Sequence, residues 1–594
     1  MRFQEFVSEL KRRRVIRALV VWGIATFAVL QVFEPVMHGL RLPDWTLSFV
    51  VVVLGLGFPI TAALAWVFDL KATGIERTVS PEPAADPARP HGPARLRLAL
   101  LLLGLGAVAA APGIVYFFVW PGGERHPTAA TAAGQVTPAA PSIAVLPFVN
   151  LSSDKEQEYF SDGIAEEILN ALAQVEGLRV IGRTSSFAMK GRNEDLRAIG
   201  QKLNAANLLE GSVRKAGAKV RITAQLIEAA GGSHLWSQEF DRELTDVFAV
   251  QDEIAHAVVA ALKLKLKLLP AASQEPRTTD AEAHDQYLLG LAFLARGSGG
   301  AYQRAVTALD RAVKLDPGYA PAWSALARAR FWAADQSVDG NPRLEWPLAL
   351  AAAEKAVALA PGRADGYFAR GAMRESTLQD WAGARADLER ARALSPGNPG
   401  IQTQYASLVA ALGRLPEAIT ALKEAAALDP LSADIPAMLS TVYLGTGQLP
   451  LAEAAARSAL ELAPEHGRAA RNLGFALLLQ GRLVEAQAAF HRSSNSFFVA
   501  VGDVMVEHSL GHAAASQRAL DGVLAVPYVR QGSYQVAQSY AWRGEAGRAI
   551  EWIGHAIDEH DAGLNYLSYD PFFRPLRADP RFAALLRKLK LPVD

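Results

Sequence analysis

Hydrophobic and polar positions change their spacing three times along this chain. The first 120 residues contain three long apolar runs, at about 15–37, 45–68 and 98–120. The run from Trp45 to Phe68 has no charged residue in 24 positions. At a rise of ~1.5 Å per residue, such a helix exceeds a hydrocarbon core of ~30 Å. Trp22, Trp45, Trp66, Phe68, Tyr116 and Trp120 stand mostly near the ends of the runs, where amphipathic rings favour the membrane interface. The competing reading is a cleaved signal peptide followed by two buried core helices. The first run ends Gln31-Val32-Phe33-Glu34-Pro35, without a small-residue cleavage site, and a second full-length run follows it. Three transmembrane helices are therefore expected.

From Ser142 the spacing becomes that of alternating strands and helices. Ile143–Pro147 and Leu178–Ile181 read as short strands. A helix opens near Ser161, its expected N-cap, with Ile164, Ile168, Leu169 and Leu172 on one face. Glu194–Leu203 reads as a second helix. Three strands follow at Asn207–Lys215, Lys219–Glu228 and Ser233–Asp241, and a helix from Asp246 to about Leu268 closes the domain. In the middle strand Val220, Ile222, Ala224 and Leu226 alternate with Arg221, Thr223 and Gln225, so one face is expected to meet a core.

From about Asp280 the pattern repeats. Prolines 317, 361, 396, 430 and 464 each end a Leu-X-Pro motif, at separations of 44, 35, 34 and 34 residues. A period of 34 residues is that of tetratricopeptide repeats, each a pair of antiparallel helices. The pairs Ala305/Ala312, Ala349/Ala356, Ala384/Ala391, Ala418/Ala425 and Ala452/Ala459 hold the same places in successive second helices, where close helix crossings need small residues. About eight repeats are expected. The second carries an insertion near Asp335–Pro347, and Glu507–Leu524 has the weakest signal. The tail from Tyr569 to Leu586 resembles a capping helix. The fold class is thus multidomain: transmembrane helices, an α/β domain over 142–270 and an all-α repeat superhelix over 280–594.

Basic residues orient the membrane part. Lys11 to Arg14 precede the first run, and Lys71, Arg77, Arg89 and Arg95 lie between the second and third. The loop between the first two carries only Arg41. The N-terminal tail, 1–14, is accordingly expected in the cytoplasm and everything after about 120 outside it, in a bacterial periplasm. The stretch 121–141, rich in Ala, Thr, Pro and Gly, reads as a flexible tether. The cytoplasmic pieces are too short to bury a core.

Composition narrows the chemistry. The chain has 60 basic and 60 acidic side chains, so the basic face usual in nucleic-acid binders is not expected. It has no cysteine, which excludes disulfides, thiolate-bound metals and thiol nucleophiles. There is no phosphate-loop motif, no nucleophile elbow and no zinc-protease helix. His508 and His512, one helical turn apart, have the spacing of a metal pair but no third ligand is placed by sequence. No catalytic residue, metal or cofactor is expected.

Several separated stretches of the α/β segment resemble the TolB amino-terminal-like domain, close to the FlgO-type domain. They are SIAVLPFVNLSSD (142–154), YFSDGIAEEI (159–168), LRVIGRTSSF (178–187), LLEGSVRKAG (208–217) and GSHLWSQEFDR (232–242). The membrane part resembles the module often joined to it, through ELKRRRVIRA (9–18), LPDW (42–45), GFP (57–59) and FDLKATGIERT (68–78). In related architectures a winged-helix, kinase or nucleotide-cyclase domain is attached. This sequence shows none, so a cyclase or kinase name transferred by similarity would not be expected to describe it.

The repeat register points Arg370, Gln404, Arg468, Arg471, Asn472, Tyr534, Gln535 and Gln538 into the concave wall. That wall suits an extended or carboxylate-bearing peptide with Arg forks as anchors, or is simply a solvated inner face. The expected function is a membrane-anchored, extracytoplasmic, non-catalytic scaffold whose partners are proteins or peptides and the lipid bilayer, with no nucleic acid. The alternative is a transmembrane signalling subunit whose tail docks an effector.

Overall fold

The computed structural model describes Thr26, residues 68–71 and 74–77, and the chain from Pro141 onward except 176, 193, 218, 244–246, 263–277, 337–341, 526–531 and 594. The three apolar runs, the basic tail and the tether lie outside the described residues, apart from Thr26 and the first strand's Phe68. Among the described residues no helix is long and apolar enough to cross a membrane. The chain divides into two compact units, Met1–Thr137 and Pro138–Asp594. The first contains an antiparallel ribbon, β1 (Phe68–Lys71) with β2 (Gly74–Arg77), pairing Phe68 with Arg77. The stretch FDLKATGIER carries that ribbon, which apolar periodicity did not predict.

The second unit starts with a six-stranded sheet in the order β5-β3-β6-β7-β8, with β4 also paired to β6. Its strands are β3 (Ser142–Val145), β4 (Val149–Asn150), β5 (Arg179–Val180), β6 (Asn207–Ala216), β7 (Lys219–Glu228) and β8 (His234–Glu243). The pairs β3–β5 and β3–β6 are parallel, and β6–β7–β8 is an antiparallel meander. Its two hairpin turns place Gly217 and Gly232 at φ of 61° and 70°, where a Cβ is strained. Val220, Ile222, Ala224 and Leu226 of β7 are fully buried, as their alternation predicts.

Four helices accompany the sheet: α1 (Glu158–Leu172), α2 (Arg183–Phe187), α3 (Leu196–Leu203) and α4 (Val247–Ala261). The first begins three residues earlier than expected. Ser161 is buried inside it rather than capping it, because Asp154 caps a preceding 3-10 turn by accepting from the Glu156 N–H at 2.9 Å. That turn brings Phe160 into the core. Helix α2 has only five residues, too few to give a helical period.

Eight helix pairs follow among the described residues, from Ala281–Ala295 to Ala546–Glu559. The weak seventh repeat is a regular pair, Ser496–Ser509 and Ala513–Leu524. The insertion in the second repeat adds helix, since its two members run Ala320–Gln336 and Pro342–Leu359. Each alanine of the five periodic pairs is at most 3% exposed, as close helix crossings require.

One hydrophobic core runs without a break from Ile143 of the sheet to Met373 of the third repeat. A second extends from Trp381 to the C-terminal residues Phe582, Leu586, Leu589 and Leu591. The tail is therefore more than an end cap. Two 3-10 segments, Ala562–Tyr566 and Pro571–Leu576, and a final helix, Pro580–Lys588, run back over earlier repeats. Ser568 Oγ donates to the Ala411 carbonyl at 2.6 Å and Arg574 to that of Gly445 at 2.8 Å. Trp381 Nε1 donates to the Leu589 carbonyl at 2.6 Å.

Candidate functional site

The tail decides what the concave wall offers. Three of the eight wall residues hold neighbouring helices together instead of facing an open groove. Arg370 makes a two-pronged bond to Asp387 of its own repeat, at 2.9 and 2.7 Å, and Arg374 donates to the same carboxylate at 2.9 Å. Gln404 Nε2 reaches Glu375 at 2.8 Å. Asn472 Nδ2 donates to the Ala437 carbonyl at 3.0 Å and to Thr441 Oγ1 at 2.8 Å, tying the sixth repeat to the fifth.

The other five converge. Arg471, Tyr534, Gln535 and Gln538, with Asn472 beside them, line one pocket, and Arg468 stands one turn before Arg471. The opposite wall of that pocket is the tail itself, from Tyr566 to Phe572. Asp570 anchors it, accepting from Tyr534 Oη and Gln538 Nε2 at 2.6 Å each and from the Phe572 N–H at 2.9 Å. Burial pushes its carboxyl above the usual range against those three bonds. Phe572 packs edge-on to Phe475 at 4.7 Å and to Trp542 at 5.6 Å. The expectation of an exposed wall is thus corrected: Tyr534, Gln535 and Gln538 are buried, and the occupant beside them is the chain's own tail. Periodicity missed Tyr566 and Asp570 because the 3-10 segments have no helical repeat. The only local signal was Tyr-Asp-Pro at 569–571, which reads in sequence as the start of a cap.

A buried glutamate lies in the same row of first helices. Glu375 belongs to a single π-helical turn, Arg374–Leu378, of the kind often found at special sites. It accepts from Gln404 and from Ser407 Oγ, each at 2.8 Å, and burial lifts its carboxyl to about 7.

Among the described residues the α/β domain meets the array at α1 and again at α2. On α1, Gly163 faces Leu288 so closely that a Cβ would lie 2.6 Å from it. Tyr159 Oη and Lys215 Nζ both donate to Asp285 at 2.8 Å, and Glu167 meets buried His284 at 3.3 Å and also pairs with Gln251. At the second place the loop after the fourth repeat docks on α2. The Gly182 N–H donates to the Leu428 carbonyl at 2.6 Å and the Ser185 N–H to Asp429 at 2.8 Å. Ser185 Oγ also bonds Asp429 and accepts from the Leu431 N–H at 2.8 Å.

His512 pairs with Glu507 at 2.8 Å. Among the described residues no group of three or more His, Cys, Asp or Glu side chains is placed to hold a metal.

Comparison with known proteins bears on both parts. Two family profiles described as tetratricopeptide repeat match residues 377–440 and 438–493. The repeats are tetratricopeptide repeats. Residues 139–274 match a profile described as the second domain of HilA/YgeH-like transcriptional regulators, a different description from the TolB resemblance. A curated relative from Rhizobium meliloti (strain 1021), named putative adenylate cyclase 3, is 41% identical over 217 residues. The match covers 36% of this chain, which spans 37% of that relative's length. Among solved structures, a thermophilic TPR protein of Thermus thermophilus is 26% identical with a TM-score of 0.28, covering 33% of this chain and 99% of its own. YrrB, described as a TPR protein with an unusual peptide-binding site, is 16% identical with a TM-score of 0.25, covering 36% and 96%.

Proposed function

We propose that this protein is a non-catalytic, membrane-anchored scaffold that uses its repeat array and its TolB-like α/β module together to hold protein partners. The observation that carries this reading is the fusion of the two modules through a shared core and two sets of polar contacts, one around Asp285 and one around Asp429. A repeat array fixed to a second domain offers one continuous rigid surface, and rigidity lowers the ordering cost of association. The apolar runs and the flanking basic residues support anchoring in a bacterial inner membrane, with the N-terminus cytoplasmic and residues after about 120 outside. The neutral charge balance supports protein rather than nucleic-acid partners.

A second reading is favoured by the names of the similar proteins, a transcriptional regulator domain and a putative adenylate cyclase. On it the external modules regulate an effector across the membrane. The shared segment would then be regulatory, with the cyclase activity carried by other parts of that relative.

The test is photo-crosslinking in native membranes from the exposed second-helix positions Val484 and Leu451, combined with a reporter fused after Asp594. Scaffolding predicts discrete adducts from these positions and a reporter active only outside the cytoplasm. Adducts absent from every array position, or a reporter active inside, would sink the proposal.

A further inference from the structure

Arg468 and Arg471 lie on the first helix of the sixth repeat, Gly467–Leu479, beside the pocket closed by the tail. They are the two charged wall residues that no acid among the described residues engages, unlike Arg370. Among the described residues neither guanidinium has a hydrogen-bond acceptor or an ion-pair partner, and Arg471 Nε is buried without one. The Arg471 guanidinium instead lies over the Phe498 ring at 4.9 Å, which supports its flat face and leaves its N–H edge unused. Burial, and the like charge of Arg468, push Arg471 below its usual value.

The nearby acids do not resolve this. Asp570 already takes three bonds, from Tyr534, Gln538 and the Phe572 N–H, and attracts Arg471 without a hydrogen bond to it. Asp434, close to Arg468, is paired with His466 at 3.1 Å. Two cations one turn apart, partly desolvated and supplying up to ten N–H donors, call for acceptors that the chain does not provide. Both residues are half-buried rather than sealed in the core.

We propose that Arg468 and Arg471 bind a small dianion, carrying a phosphate or two carboxylates, between the first helices of repeats six and eight and the tail segment 566–572. A doubly charged ligand neutralises both guanidinium groups, and each planar fork can give it paired charge-assisted bonds. The tail covers the neighbouring wall, so the ligand is a compact anion rather than an extended peptide. Phe498 and Gln535 position the site; Asp570 holds its far wall. This inference does not rest on the scaffold reading, since no protein partner enters it.

The experiment titrates the full chain with inorganic phosphate and, separately, with succinate, against sodium chloride at matched ionic strength. Calorimetry and the thermal midpoint are the readouts. One of the two dianions should bind at one site per chain and raise the midpoint beyond the chloride control, and which of them binds identifies the source. Arg471→Lys keeps the charge but loses the fork, and should weaken binding about 10-fold. The double variant Arg468→Gln/Arg471→Gln should weaken it at least 100-fold, whereas Arg581→Gln, on the exposed final helix, should leave it unchanged. Stabilisation of the wild type by neither dianion beyond chloride overturns the proposal. So does a double variant that binds as well as the wild type. If the double variant does not fold, the wild-type midpoint shift and the Arg471→Lys affinity decide the matter.

Discussion

Glu375 is buried completely, and its carboxyl titrates near 7 instead of its ordinary 4.5. The unfolded chain therefore gives up this proton first. Stability contributed by the protonated form is present below about 4.5, declines as pH rises towards 7 and is lost above it. A shift of this size corresponds to roughly 3 kcal/mol at most. Glu375→Gln should raise the thermal midpoint at pH 8 and change it little at pH 4.5; an equal change at both values would contradict the burial argument. Asp387 is 3% exposed and receives three bonds from Arg370 and Arg374. Asp387→Ala leaves partly buried Arg370 without its acceptor and Arg374 with only the Gly383 carbonyl and the distant Asp380, and should cost about 3–5 kcal/mol by denaturant unfolding. A loss under 1 kcal/mol would mean that both arginines escape to water. Arg370 pointed the right way along its helix, but periodicity cannot tell a groove from an acid on the adjoining helix.

Among the elements, the tail is the one whose role depends most on tertiary contacts. Tyr569 packs on the first helix of the fifth repeat, where a Cβ on Gly445 would lie 2.4 Å from its ring. Gly445→Ala should therefore destabilise the wild type by about 1–3 kcal/mol through overpacking. In a Tyr569→Ala background the same change should cost at least ~1 kcal/mol less, because the ring is gone and the residue-569 carbonyl, 3.1 Å from the Cβ position, is the close contact that remains. Chemical denaturation of the four proteins in this cycle checks the coupling; additive effects would show that the tail does not press on this helix. The repeat helices themselves are easier to read. Their small residues recur because helix pairs cross closely, and that constraint acts within 34 residues of sequence. The tail has no such period, and its contacts lie up to 208 residues away, as between Trp381 and Leu589.

Across the domain boundary, the α/β domain and the array should unfold together. Residues 138–594 form one compact unit with a core that both parts share. Gly182 sits where a Cβ would meet Asp429 at 2.7 Å and Pro399 at 2.8 Å. Gly182→Val should open this contact, and calorimetry should show one transition for the parent and two for the variant. A single unchanged transition would argue that the contact at α1 alone joins the modules. The stretches 159–168 and 178–187, which carried the family resemblance, supply Tyr159, Gly163, Glu167, Gly182 and Ser185 to these contacts. In this molecule, residues of those stretches serve to join the domain to its repeats.

Residue order alone located the strands of the meander to within two residues, the eight-repeat array and its buried alanines. All of these follow from short-range periods of two, 3.6 and 34 residues. It also grouped Arg471, Asn472, Tyr534, Gln535 and Gln538 on one wall, because equivalent repeat positions face the same way. Folding in three dimensions was needed to bond Arg370, Gln404 and Asn472 within the array, to lay the tail over the wall, and to leave Arg468 and Arg471 without acceptors. Those outcomes depend on which groups meet across long stretches of chain, and a side chain's partner in space leaves no period in the sequence.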